Sequence, residues 1–183
     1  IFNNCASFEE VTINPEINMI PKNLFQNAKA LKKVSLPDGT TELKNIQGIF
    51  DYAFSNCVAL EKLNVPNLQI INNYAFDGCT SLVSIADNKN KIPENLAFYG
   101  NYCFRKCTNF NPNLSESTIE TLGKYSFSSS GIKSLKIKKQ DRILTIGAGA
   151  FSGSALQSVY LPEGLDLYNT EKYIFSSCKD LST

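Results

Sequence analysis

The chain has 183 residues, 43% hydrophobic and 19% charged, a length and balance that fit one globular unit and exclude a disordered polypeptide. Eighteen basic and seventeen acidic side chains leave a net charge of +1, so no bulk attraction to nucleic acid or to an anionic membrane surface is indicated. No apolar run approaches the roughly 18 residues of a membrane-crossing helix.

Taken in order, the sequence repeats itself. Phenylalanine anchors stand at Phe2, Phe25, Phe54, Phe76, Phe104, Phe127, Phe151 and Phe175, separated by 23, 29, 22, 28, 23, 24 and 24 residues. Three places after each anchor comes a small residue: Cys5, Ala28, Cys57, Cys79, Cys107, Ser130, Ser154 or Cys178. An aliphatic residue precedes the anchor by five at Ile20, Ile49, Ile71, Leu122 and Ile146. Tyrosine precedes it by two at Tyr52, Tyr74, Tyr102, Tyr125 and Tyr173. A register kept this often marks an internal repeat array.

Between anchor blocks runs L-x-x-V-x-L-P, as in Leu31–Pro37 and Leu156–Pro162. Its alternation predicts a short half-buried strand, which the proline ends because it has no N–H for the next ladder. The Y-A-F-x-x-C block predicts a single helical or 3₁₀ turn, with Phe and Cys three apart on one side. A unit of about 24 residues cannot bury its own apolar face, so copies must stack and share one. The fold class expected is therefore an α/β repeat solenoid, β-dominated, with parallel strands and short helical turns. One domain spans 1–183, in seven to eight repeats.

The pattern I-G-x-Y-A-F-x-x-C-x-x-L-x-x-V-x-L-P is matched by Ile146–Phe151 running on to Leu161-Pro162, and by Leu122–Phe127. It resembles the BspA-like, or Treponema-type, leucine-rich repeat. That resemblance implies a curved solenoid whose L-x-x-V-x-L strands line the concave side. It also implies secreted or surface-attached proteins of bacteria and some parasitic protists, linked to adhesion and host contact.

Departures from the repeat carry their own expectations. The two long intervals gain length within about residues 43–48 and 87–98, in the same loop of alternate repeats, and should emerge on one side of the array. After Phe104 the strand pattern fails, with Pro112 and Asn113 in place of the usual residues, so about 86–118 should be the least regular part. Both ends stop inside a repeat, so we expect the natural polypeptide to continue on one or both sides.

Histidine is absent, which removes the commonest general base and metal ligand. No phosphate loop, EF-hand or CxxC pair occurs, and neither catalytic, cofactor-binding nor metal residues are expected. Cys5, Cys57, Cys79, Cys107 and Cys178 share one repeat position and should stack as small buried side chains, with neighbours near disulfide distance. Five tyrosines in register suggest edge packing before they suggest stacking on sugar rings.

Recognition is expected where copies disagree. The strand residues flanking the inward Val include Lys33 and Ser35, Lys62 and Asn64, Ser84, Lys136 and Tyr160, and these with Lys138 form the candidate binding surface. The densest charge lies in Lys133–Arg142, five basic residues in ten, a patch able to attract an acidic glycan or acidic protein segment. Asn113-Leu114-Ser115 is a glycosylation sequon in a secreting eukaryote. The function expected is a non-catalytic binding module, secreted or on the cell surface, for a protein or glycan partner such as host matrix. The alternative is a structural spacer that binds nothing.

Overall fold

The computed structural model describes residues 2–115, 117–137, 144–161 and 172–182. Its strands are two or three residues long: β1 (Glu10–Thr12), β2 (Met19–Ile20), β3 (Lys33–Ser35), β4 (Gly48–Ile49), β5 (Ile70–Ile71), β6 (Phe98–Tyr99), β7 (Thr121–Leu122), β8 (Ser134–Lys136), β9 (Thr145–Ile146) and β10 (Ser158–Tyr160). Every pairing between them is parallel. This is a solenoid, each coil supplying one strand to a shared ladder.

The longest ladder is six-stranded, in the order β2-β4-β5-β6-β7-β9. It is built from the aliphatic position five before each anchor. Ile20, Ile49, Ile71, Tyr99, Leu122 and Ile146 point inward from it and are buried. The L-x-x-V-x-L segments form a second, interrupted face. There β1 pairs β3 and β8 pairs β10, while the middle narrows to single bridges, Glu42 to Asn64 and Lys62 to Ser84. Between Ser35 and Ser134 that face carries no strand among the described residues, and the Pro112 coil lies within that gap.

The anchor block corrects one expectation. Among the described residues it contains no helix, α or 3₁₀, so the helical turns and the α/β label do not hold. The reason is where its N–H groups go. In the Phe54 coil, Tyr52, Phe54 and Asn56 donate to Asn73, Ala75 and Asp77 of the next coil at 3.0, 2.8 and 2.7 Å. Only the alternate donors, Ala53, Ser55 and Cys57, bond back three residues within the coil, at 3.1, 3.1 and 3.0 Å. A helix would claim all of them for itself. Left-handed backbone at Tyr52 (φ 57°) and Asn56 (φ 59°) turns the alternate groups outward. Tyr74 and Gly78, Tyr102 and Lys106, and Tyr125 and Ser129 repeat that pair of left-handed positions. The result is a third ladder along the array.

The anchor phenylalanines form an unbroken column from Phe2 to Phe175, with neighbouring centroids 5.2–5.8 Å apart. Those from Phe25 to Phe151 are completely buried, each contributing very roughly 2–3 kcal/mol by area.

Aspartate and asparagine side chains complete the scaffold in two places. Asp51, Asn73 and Asn101 each accept, through Oδ1, the backbone N–H of the equivalent residue in the next coil, at 3.1, 2.8 and 2.8 Å. Asn4, Asn27 and Asn56 link amide to amide at 2.8 and 2.9 Å. At Gly78 that second line ends, because glycine has no side-chain amide to donate, and a Cβ there would sit 2.5 Å from the Asn56 Oδ1.

Candidate functional site

The residues repeated in register are absorbed by the framework. Cys57, Cys79, Cys107 and Cys178 each donate a thiol hydrogen to the anchor carbonyl of the preceding coil, at 3.1, 3.0, 3.0 and 3.2 Å. All six cysteines are free thiols. Burial pushes the Cys57 thiol up to about 12 and raises Cys79, Cys103 and Cys107 as well, so none is a ready nucleophile. Among the described residues no group of three or more acidic or cysteine side chains is placed to hold a metal.

Tyr52, Tyr74, Tyr102 and Tyr125 stack face to face, with centroids 4.7, 4.7 and 5.2 Å apart and planes within 10°. Their faces cover one another, leaving only edges and hydroxyls, so the column offers no platform to a sugar ring. Arg105 lies over Tyr102 at 4.8 Å and Tyr74 at 5.5 Å. Its guanidinium grips Asp77 with two bonds of 2.8 and 2.7 Å. Cation, carboxylate and rings lock coil to coil.

The variable residues divide into two hollows on the L-x-x-V-x-L face. The first, about 250 Å³, is lined by Lys32, Lys33, Val34, Thr41, Glu61, Lys62 and Asn64, and so gathers Lys33, Lys62 and Asn64 as expected from sequence. Beside it a single parallel bridge joins Glu42 to Asn64. The Asn64 Oδ1 is buried there with no partner. Its lysines are not free cations: Lys32 meets Glu9 at 2.9 Å, Lys33 meets Glu10 at 3.4 Å, and Lys62 donates to the Asp87 carbonyl at 2.5 Å. Glu61 adds a carboxylate to the rim. Two of the three lysine charges are therefore balanced by carboxylates, and Lys62 keeps its charge on a neutral acceptor.

The second hollow, about 280 Å³, is lined by Asn90, Asn111, Pro112, Asn113, Ser134 and Lys136. Lys136 lies over the Tyr160 ring at 5.8 Å, and the Ser158 hydroxyl donates to Ser134 Oγ at 3.1 Å. Tyr160 is 64% exposed.

Two expected surface residues are buried. Ser35 is buried, and Ser84 is 2% exposed, its hydroxyl bound to the Ala86 and Asn88 carbonyls at 3.0 and 2.9 Å. Ser84 closes the turn that opens the second insert, which is why its side chain faces the protein. Lys138 lies outside the described residues. Sequence reasoning missed Asn90, Asn111 and Asn113 as site residues. The lost strand and the extra length around them were the available signals.

A solenoid whose coils carry L-x-x-V-x-L on one face and an anchored turn at the corner is of the leucine-rich-repeat class. The model of the BspA type leucine rich repeat region matches residues 1–86 and 47–182, in six copies, and the chain belongs to that family. No curated protein matches the sequence. The crystal structure of the Treponema pallidum leucine rich repeat protein is 24% identical, with a TM-score of 0.56 over 88% of this chain and 61% of that one. A leucine-rich repeat protein from Bacteroides ovatus is 20% identical, with a TM-score of 0.50 over 99% of this chain and 56% of its own. The chain thus spans less than two thirds of either relative, and the likeness is one of fold.

Proposed function

We propose that the chain is a non-catalytic recognition module, secreted or on the cell surface, that binds a protein or glycan partner through its L-x-x-V-x-L face and the two inserted loops. The observation that carries this reading is a division of labour within each coil. Side chains repeated in register are consumed by ladders, whereas the L-x-x-V-x-L face changes from coil to coil and holds both hollows. Stacked repeats offer extended surfaces suited to macromolecular partners. The four buried thiols, Cys57, Cys79, Cys103 and Cys107, also tolerate an oxidising exterior without needing disulfides.

The spacer reading draws on a different observation, the internal pairing of Lys32, Lys33 and Lys62. One experiment separates the two. Attachment to host cells and matrix is measured for Lys33→Glu, Lys62→Glu and Lys136→Glu beside the parent chain, with Tm recorded for each. Loss of attachment at unchanged Tm supports recognition. Attachment indifferent to all three supports the spacer.

A further inference from the structure

The two hollows differ in chemistry. Carboxylates oppose the lysines of the first, but among the described residues no Asp or Glu lines the second. What the second hollow presents is a row of donors. Asn111 spends its Oδ1 on the Lys133 N–H at 2.9 Å, and Asn113 spends its own on the Ser115 N–H at 3.0 Å. Both keep their amide N–H groups, which have no partner among the described residues. Ser134 accepts from Ser158, which leaves its own hydroxyl hydrogen to donate. Lys136 supplies the charge, held against the Tyr160 ring and, among the described residues, against no acid.

The order of these groups along the array matters equally. Asn90, then Asn111 and Asn113, then Ser134 and Lys136, then Tyr160 come from four successive coils, with Asn113 bonded through its N–H to the Asn90 carbonyl at 2.7 Å and Tyr160 in register with Lys136. At about 4.8 Å per coil the strip is about 15 Å long, matching two or three linked sugar rings better than a single ion. A flat exposed aromatic at one end, neutral amide donors at the other and one cation between them suit a pyranose chain carrying a carboxylate. An acidic polypeptide would use the cation but has no need of the aromatic face.

We infer that the strip from Asn90 to Tyr160 is a binding site for a carboxylated oligosaccharide, with Tyr160 stacking on a sugar face, Lys136 pairing the carboxylate, and Asn111 and Asn113 donating to ring hydroxyls. The inference rests on the recognition-module reading and names the ligand class of one part of that surface.

Calorimetric titration tests it with oligosaccharides of glucuronic acid, galacturonic acid and sialic acid, each beside its carboxyl-reduced form, and with an oligoglutamate peptide. The expected result is that at least one acidic sugar binds tenfold or more tighter than its reduced form. Tyr160→Ala and Lys136→Gln should each weaken it about tenfold, while Lys22→Gln, at an exposed lysine outside both hollows, leaves it unchanged. Tyr160 and Lys136 are both exposed, so an unchanged Tm will certify that these variants are folded. No preference for the acid in any pair overturns the inference, as does oligoglutamate binding that depends on Lys136 and ignores Tyr160. Cell attachment lost in Lys62→Glu but retained in Tyr160→Ala and Lys136→Gln would overturn the sugar site and leave the recognition module standing.

Discussion

The Cys79 thiol donates to the carbonyl oxygen of Phe54, 3.0 Å away in the preceding coil. That same oxygen already accepts the Cys57 N–H at 3.0 Å, so both of its lone pairs are used. The relationship recurs at Phe25, Phe76 and Phe151. It explains why cysteine alternates with alanine and serine at this position. The site wants a small apolar body, and the long C–S bond lets it also reach the neighbouring carbonyl.

Serine in the same place falls short. Ser130 is buried and its Oγ has no hydrogen-bond partner. Ser130→Cys should stabilise the chain by about 1 kcal/mol, by replacing an unsatisfied hydroxyl with a thiol aimed at the Phe104 carbonyl. Urea denaturation checks this; a midpoint at or below that of the parent would contradict it.

The thiols also set a pattern of reactivity and a pH limit. Cys5 is exposed and should alkylate quickly at pH 8, Cys178 more slowly, and the four buried cysteines only in denaturant, as read by peptide mass spectrometry. In the unfolded chain thiols ionise from about pH 8.5, whereas Cys57 holds its proton up to about 12. Above pH 8.5 the unfolded state therefore binds fewer protons than the folded one. The stability Cys57 contributes is complete below that pH and is lost as pH rises toward 12. Cys57→Ala should flatten the fall in urea midpoint between pH 8 and 10.

The anchor column predicts a large asymmetry between inside and outside. Phe76→Ala opens a cavity between Phe54 and Phe104 and should cost about 3–5 kcal/mol. Lys62→Ala removes one exposed bond to a carbonyl and should cost under about 1 kcal/mol. Equal urea midpoints would refute the register.

At Tyr102 packing and backbone conformation oppose each other. Its ring contacts Tyr74, Tyr125 and Arg105, yet its φ is +58°. Alanine loses the contacts and keeps the strained backbone, while glycine loses the contacts and relieves the strain. Tyr102→Gly should therefore melt above Tyr102→Ala, by about 1 kcal/mol in stability. The reverse order would mean that chain entropy outweighs the strain.

How much of this was legible depended on whether a residue acts through its period or its conformation. The anchor column, the inward aliphatics and the cysteine stack announce themselves by recurrence alone. The turn did not, because Phe and Cys three apart fit a 3₁₀ turn as well as a chain whose alternate N–H groups leave for the next coil. Left-handed tyrosine is rare enough that nothing in Tyr-Ala-Phe suggests it. At the candidate site, Lys33 and Lys62 were found as exposed positions, but their partners Glu10 and Asp87 lie one coil away and no local pattern pairs them. Ser84 looked like surface because its register is that of a strand, and it became a buried turn-closer where the insert begins.

The three ladders have a mechanical consequence. Their inter-coil hydrogen bonds run along the axis of the stack, so a force pulling its two ends apart loads a coil's bonds in tension, row by row, instead of shearing them together. Coils should peel off singly at low force, each releasing about 80 Å of chain at 3.4 Å per residue. A tether built this way absorbs a tug by lengthening in steps, and rewinds from whichever coils remain.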